Sequence, residues 1–345
     1  MIPIQNIYYM LSYAFQVLNE QGYKNIATEQ FNNTGELMAA ILEKGIAIQL
    51  KRGLGKEYIL QTEALSSLRG KIDIAESIKT QSMLRKQLIC TYDEFSVNSI
   101  MNRIIKSTVE LLLRSNISKQ RKKNLRKLMV YFREVDFIDL YMVNWNVQYN
   151  RNNQTYRMLI SICYLVVKGL LQTQSNGHTE LMDFLDEQRM CRLYEKFILE
   201  YYRKEFKNQF TANASQIPWQ LDNEENSMLP VMQSDIMLQS GEKVLIIDAK
   251  YYEHSTQVQF DKHTLHSGNL YQIFTYVKNK EYELREKDHT VSGMLLYAKT
   301  DEEIYPNNVY QMSGNQITVR TLDLNLPFDE IAGQLNTIAK THFDL

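Results

Sequence analysis

Apolar positions along the chain fall into two stretches of different character. Residues Asn6 to Leu18 carry them at helical spacing, with Asn6 placed to cap the start, and Thr34 to Leu50 repeats the amphipathic pattern. From Leu50 to Ile74 the pattern shortens. Glu57–Leu60 and Leu68–Ile74, punctuated by Gly53, Gly55 and Gly70, predict short strands and turns that project from the helices as an arm over about 50–75. Asp93 to Leu113 predicts a helix with Asn98, Asn102 and Lys106 in one polar row, and Met158 to Leu171 predicts a buried helix. The loop-like segment Gln172–His178 then places a domain boundary near 180, which gives a mainly helical domain over 1–180 and a second domain over 181–345.

The second domain reads differently. Asp186 to Lys207 is strongly helical, with Tyr194, Phe197, Ile198 and Tyr201 on one stripe. Pro230–Leu238 and Val244–Lys250 read as strands joined by the hairpin-like Gln239–Glu242. A helix over Asn269–Lys278, strands over Val291–Tyr297 and Gln316–Leu324, and a closing helix over Phe328–His342 complete the series. Helix, strand, strand, helix, strand, strand, helix is the order of an α/β (α+β) domain with a mixed central sheet flanked by helices.

Charge and composition change this picture little. The 39 basic and 40 acidic residues nearly cancel, so the net charge of −1 argues neither for nor against nucleic acid. Locally, Lys119–Lys127 is the densest basic cluster, and two readings stay open for it: a phosphate-backbone contact or a solvated helix face. Cys90, Cys163 and Cys191 are far apart and in no metal-ligand spacing, which fits a reducing cytoplasm rather than a disulfide framework. No stretch has the form of a signal peptide or a membrane span, so a cytoplasmic protein without membrane association is expected. The chain has no GxxxxGK[ST] phosphate loop, so it is expected to bind no nucleotide itself.

The candidate chemistry lies at the end of Val244–Lys250. Residues i and i+2 of a strand share a face, so Asp248 and Lys250 project together while Leu245, Ile247 and Ala249 point the other way. With Ser240-Gly241 as a two-residue turn, Asp235 pairs with Ile246 and lies on the same face as Asp248, diagonal to it at roughly 7 Å. Two converging carboxylates suit Mg²⁺, with Mn²⁺ able to substitute, because such ions take a few hard oxygens and keep several waters. The adjacent lysine can orient an attacking water or offset charge on a phosphoryl group, so Asp235, Asp248 and Lys250 point to metal-assisted phosphodiester hydrolysis. His254, His263 and His266 offer a rival metal reading, but they lack the compact Cys/His spacing of zinc sites.

Asp235 followed by Asp248-Ala249-Lys250 resembles the motif of PD-(D/E)xK nucleases, with Ser234-Asp235 where the nominal Pro-Asp stands. Gln272-Ile-Phe-Thr-Tyr276 is similar to the QxxxY helix of one branch of that superfamily. Ile4–Ala14, Asn102–Thr108, Ile247–Tyr252 and Asn269–Gln272 resemble the McrC family, the nuclease subunits of McrBC modification-dependent restriction systems, and the likeness covers most of the chain.

The resemblance implies a Mg²⁺-dependent endonuclease subunit that works with McrB, an AAA+ GTPase that binds the GTP and recognises modified cytosine in double-stranded DNA. It implies an N-terminal part that docks on McrB and stimulates its GTPase and a C-terminal part that cleaves, and leaves open whether two copies pair to cut both strands. Catalytic roles pass to Asp235, Asp248 and Lys250 by direct match, and the main-chain carbonyl of Ala249 joins the metal shell. Gln272 and Tyr276 support the site or contact DNA. Glu200 matches an acidic residue that some superfamily members carry on a preceding helix, with Glu195 as its competitor. The arm, with Arg52-Gly53 and Arg69–Asp73, is similar to the part of the family that reaches toward McrB. The competing readings are a non-catalytic assembly subunit and a stand-alone structure-specific nuclease.

Overall fold

The computed structural model describes residues 2–15, 18, 26, 29, 31, 33–150, 153, 155–174, 187–222, 228–252, 257–259, 262–299 and 305–345. Its helices are α1 (Ile4–Ala14), α2 (Thr34–Arg52), α3 (Ile74–Lys79), α4 (Ile100–Arg114), α5 (Lys119–Met129), α6 (Tyr156–Gln174), α7 (Glu187–Glu205), α8 (Ser267–Leu284) and α9 (Phe328–Phe343). The strands are β1 (Glu57–Leu65), β2 (Lys71–Asp73), β3 (Leu88–Ser96), β4 (Thr211–Asn213), β5 (Gln216–Ile217), β6 (Met232–Gln233), β7 (Ile236–Ser240), β8 (Lys243–Lys250), β9 (Gln257–Gln259), β10 (Lys262–Thr264), β11 (Thr290–Ala298), β12 (Asn308–Met312) and β13 (Asn315–Leu322). They form two units, one of Met1–Ala27 with Asp183–Leu345 and one of Thr28–Met182.

The C-terminal unit takes up the chain again at Asp183, and α1 belongs with it rather than with the N-terminal helices. Its aromatic residues explain why. Tyr9 stacks on Phe328 at 4.5 Å, and Tyr13 lies against Phe197 and Tyr201 while its hydroxyl donates to Glu205. Asn6 does not cap the helix, whose N-cap is Pro3. Instead it is buried, and its amide donates to the carbonyls of Leu324 and Leu326 at 2.8 Å each. A buried amide must find partners, and here they lie more than 300 residues along the chain.

In the unit of Thr28–Met182, α2, α4, α5 and α6 pack around apolar stripes, and β1, β3 and β2 form an antiparallel sheet in that order. The arm is longer than the sequence suggested. Residues Leu88–Ser96 form a strand paired along all of β1, so the helix expected from Asp93 starts only at Ile100. The cap is Ser99, which accepts from Asn102 N–H. The row Asn98, Asn102 and Lys106 turns inward. Asn102 is fully buried, donates to the carbonyls of Gly55 and Val97, and accepts from Tyr156 OH at 2.7 Å, so it ties the root of the arm to α4 and α6. Lys106 donates to the carbonyls of Phe132 and Val135, and Asn98 bonds Asp136.

In the other unit six strands run in the order β12-β13-β11-β8-β7-β4. β13, β11 and β8 are parallel and the remaining pairs antiparallel, which makes the mixed sheet that the element order predicts. β8 is central, and this is why Val244–Ile247 is continuously apolar: both of its faces are covered. Val244, Ile246, Leu295, Ile317 and Val319 pack against Ile273 and Val277 of α8. On the other face lie α7 and α9, joined where Tyr202 OH donates to the carbonyl of Leu335.

Gly293 on β11 lets α8 settle this closely. A Cβ there would stand 2.8 Å from Ile273 and from Val277 and 2.9 Å from Ile317, inside any normal contact distance. Gly293→Ala is expected to push α8 off the sheet and lower the stability of the unit by about 1–3 kcal/mol. Urea denaturation checks this, and a change below about 0.5 kcal/mol would show that the helix does not rest on this glycine.

Candidate functional site

The expected strand Pro230–Leu238 is two short strands, β6 and β7, in different sheets, broken at Ser234-Asp235. Ser234 fixes the break. It is buried, and both its backbone N–H and its hydroxyl donate to the carbonyl of Ser215. The hairpin turn is Gly241-Glu242 rather than Ser240-Gly241, with Gly241 at φ +56°, a conformation that suits glycine, so Ser240 stays in the ladder opposite Lys243. Ile236 accordingly pairs with Ile247, and one further step of that register sets Asp235 opposite Asp248, not opposite Ile246. Moving the turn by one residue shifts each pairing by two, so parity is kept and both carboxylates still share a face. The ladder does not simply stop there: Asp235 Oδ2 accepts the Ala249 N–H at 3.0 Å, a side chain taking the place of a backbone carbonyl.

Asp248 is 1% exposed, and Lys250 Nζ lies 2.9 Å from each of its oxygens. Only Oδ1 accepts a well-aligned hydrogen bond, and Oδ2 is a buried acceptor without one. Lys250 also donates to Gln272 Oε1 at 3.3 Å, and Gln272 Nε2 in turn donates to Tyr276 OH at 2.9 Å. The spacing of Gln272 and Tyr276 on α8 therefore aims one amide at the strand end. The structure brings Asp235, Asp248, Lys250, Gln272 and Tyr276 into one connected site.

Burial pushes the Asp248 carboxyl up to about 7; Lys250 opposes the rise and the Asp235 charge adds to it. Asp235 is raised as well, first by burial, against the pull of Lys250 and the Ala249 N–H. For Lys250 desolvation acts downward, but Asp248 and then Asp235 outweigh it and hold the ammonium above its ordinary range. The site thus combines two carboxyls reluctant to ionise together with one firmly protonated amine.

Glu200 is not part of this arrangement. It pairs with Arg203 at 2.7 Å, one helical turn away, and Arg203 also donates to the carbonyl of Ala212. Of the two candidates on α7, Glu195 and Glu200, Glu195 is the one that feels the site: its carboxyl is raised by burial and then by the charge of Asp235. Cys191 donates to Glu195 at 3.1 Å and lies 3.9 Å from the carbonyl of Ala249, so α7 reaches the end of β8 through Cys191 and Glu195. A local i, i+3 partner in Arg203 was the signal that Glu200 is already satisfied.

Sequence reasoning also missed a second polar chain beside the first. Asn269, buried one turn before Gln272, donates to Tyr297 OH at 2.9 Å and accepts from Tyr252 OH at 3.3 Å. Tyr297 sits opposite Lys250 in the ladder. Of the histidines, His254 and the side chain of His263 lie outside the described residues, and the His266 ring lies 5.2 Å from that of Tyr252. Among the described residues no group of three His, Cys, Asp or Glu side chains is placed to hold a metal ion; the facing carboxyls are those of Asp235 and Asp248, and the Ala249 carbonyl lies at the same strand end.

Fold and site together define a mixed α/β protein with a buried Asp-Asp-Lys centre at the end of its central hairpin. The chain belongs to the family of McrBC 5-methylcytosine restriction system components, whose model matches residues 5–298. It is 30% identical over 335 residues to the Escherichia coli (strain K12) Type IV methyl-directed restriction enzyme EcoKMcrBC, covering 94% of this chain and 93% of that one. The resemblance to the McrC family read from the sequence is therefore borne out. Two solved structures are similar to it. One is a half-complex of Thermococcus gammatolerans McrB AAA+ hexamers with bound McrC, at TM-score 0.48 and 18% identity over 97% of this chain and 76% of that chain. The other is the T. gammatolerans McrBC complex, at TM-score 0.42 and 22% identity over 59% of each chain. Among the described residues no helix is long and apolar enough to cross a membrane.

The raised Asp248 carboxyl has a consequence for stability. The unfolded chain ionises this group near 4 and the folded chain near 7, so between those values the folded state binds more protons and loses stability as pH rises. Asp248→Asn is expected to flatten the fall by up to about 1.4 kcal/mol per pH unit in metal-free buffer. Thermal denaturation of both proteins from pH 4 to 8 checks this; parallel curves would contradict it.

Proposed function

We propose that this chain is a Mg²⁺-dependent DNA endonuclease subunit of a McrBC-type restriction complex, cleaving double-stranded DNA that contains modified cytosine together with an AAA+ GTPase whose activity it stimulates. One observation carries the reading most: the fully buried Asp248, with an oxygen that accepts no well-aligned hydrogen bond, faces Asp235 beside a protonated lysine. A buried carboxylate with unspent acceptor capacity, facing a second carboxyl, is costly unless a cation completes it.

The donor set fits such an ion. Asp235, Asp248 and the Ala249 carbonyl would hold it, three hard oxygens that leave room for water. When bound, Mg²⁺ supplies positive charge for the phosphoryl group and a more acidic water. The chain's own residues do the rest. Lys250 keeps its proton, so it acts as a donor that steadies a water or a non-bridging phosphoryl oxygen rather than as a base. Gln272, held by Tyr276, keeps Lys250 Nζ at its place while Asp248 is engaged elsewhere. The N–H of Ala249 fixes the orientation of Asp235.

The arm supports partner docking. Tyr58 and Phe95 are paired across the sheet with rings 5.0 Å apart, and with Leu60 they leave an apolar face that is more than half exposed. Energy for movement along DNA would come from the partner, since this chain carries no phosphate loop.

In the reconstituted complex with GTP and modified DNA, Lys250→Ala is expected to lower cleavage by about 10²-fold or more while the stimulated GTPase rate is kept. Undiminished cleavage would refute the assignment. Tyr58→Glu with Leu60→Asp should do the reverse at the first step, lowering GTPase stimulation in a nucleotide-hydrolysis assay while the site of Asp248 is untouched. Normal stimulation by that variant would remove the arm from the interface.

A further inference from the structure

The basic cluster Lys119–Lys127 divides into two faces with different fates. At about 100° per residue, Arg121, Asn124, Leu125 and Leu128 occupy one side of α5, and Lys119, Lys122, Lys123, Arg126 and Lys127 fall within about 140° of arc on the other. The inward side is spent on structure. Leu125 is buried, and Arg121 reaches Glu36 at 3.2 Å, Glu43 at 2.8 Å and also Glu29, while Asn124 donates to Glu43. These contacts fix how the helix is rotated on α2. They also use the nearby glutamates.

The outward five have no such partner. None forms an ion pair or side-chain hydrogen bond among the described residues, and α5 itself contains no acidic residue. Four of the five are exposed and Lys122 is half-buried. Solvated helix faces usually mix charges of both signs in i, i+4 pairs; this one carries a single sign over a rise of about 12 Å from Lys119 to Lys127. That span matches three to four successive phosphates of one DNA strand, at about 3.4 Å each along the helix axis.

We propose that this outward face of α5 binds the phosphate backbone of double-stranded DNA without reading its sequence. The proposal rests on the nuclease reading above and extends it to the unit of Thr28–Met182, which thereby holds the substrate as well as the partner. Lysine and arginine with no aromatic or amide side chain among them suit positioning on the backbone rather than recognition of bases.

The test replaces Lys119, Lys122, Lys123, Arg126 and Lys127 together by glutamine, a helix former that keeps α5 intact. Binding of the full-length chain to a labelled duplex is followed by fluorescence anisotropy at several salt concentrations, with and without modified cytosine. Affinity is expected to fall on the order of ten-fold or more at moderate salt, equally for both duplexes, and the slope of log K against log salt to shrink by about three to four, close to 0.9 per lost phosphate contact. Unchanged affinity and slope would overturn the proposal. So would loss of GTPase stimulation with DNA binding intact, which would make the strip a protein interface. Lys250→Ala is measured alongside: cleavage lost there, with the glutamine variant binding normally, overturns the strip and leaves the nuclease reading standing.

Discussion

The arrangement of the C-terminal unit turns on one unfavourable act, the burial of the Asp248 carboxyl face to face with the half-buried Asp235 at the end of the central hairpin. Desolvation and mutual repulsion both act against their ionisation, and a fold without compensation would leave them neutral or exclude them. Three features hold them. Lys250 follows Asp248 by two residues and so shares its face, the Ala249 N–H reaches Asp235, and the hairpin register sets the two acids opposite each other. The parts around them serve that geometry. Ser234 breaks the incoming strand so that Asp235 turns toward β8, and Gly293 admits α8 so that Gln272 reaches Lys250. α7 brings Glu195 and Cys191 to the same strand end.

The sequence made much of this readable because strand parity is a strict rule. Val244–Lys250 could only be a buried strand, and Asp248 and Lys250 had to share a face. The turn was less determined: Ser240-Gly241 and Gly241-Glu242 are both two-residue loops of turn composition, and the choice fell to glycine at positive φ in the first position. What could not be read were contacts that span the chain. Nothing near Asn6 shows that its amide will meet Leu324 and Leu326, so α1 read as part of the N-terminal domain. The outer half of β3 was hidden because Asp93, Glu94 and Phe95 lie exposed on an arm, where no burial imposes the alternation that Cys90 and Tyr92 keep in its first half. Asn102 and Lys106 read only as part of a polar row: carbonyls at the root of the arm and near the end of α5, their true partners, leave no trace in side-chain pattern.

The other unit shows how one run of like charges can be divided between structure and surface. A single arginine, half-buried and paired with three glutamates, anchors α5, and it is this anchoring that turns the remaining cations outward as a set. Membership of the McrBC family gives both units a common setting. One offers a cationic helix and an apolar arm, the other the centre of Asp235, Asp248 and Lys250.

The central claim, that Asp235 and Asp248 form a site completed by a divalent ion, is tested most directly by calorimetric titration of Mn²⁺ into the purified chain near pH 6, where the Asp248 carboxyl still holds its proton, in two buffers of different ionisation enthalpy. The account predicts one binding event coupled to proton release, because a raised carboxyl must lose its proton to the ion, and loss of that event in Asp248→Asn. Binding of equal strength and stoichiometry in the wild type and in Asp248→Asn would contradict it.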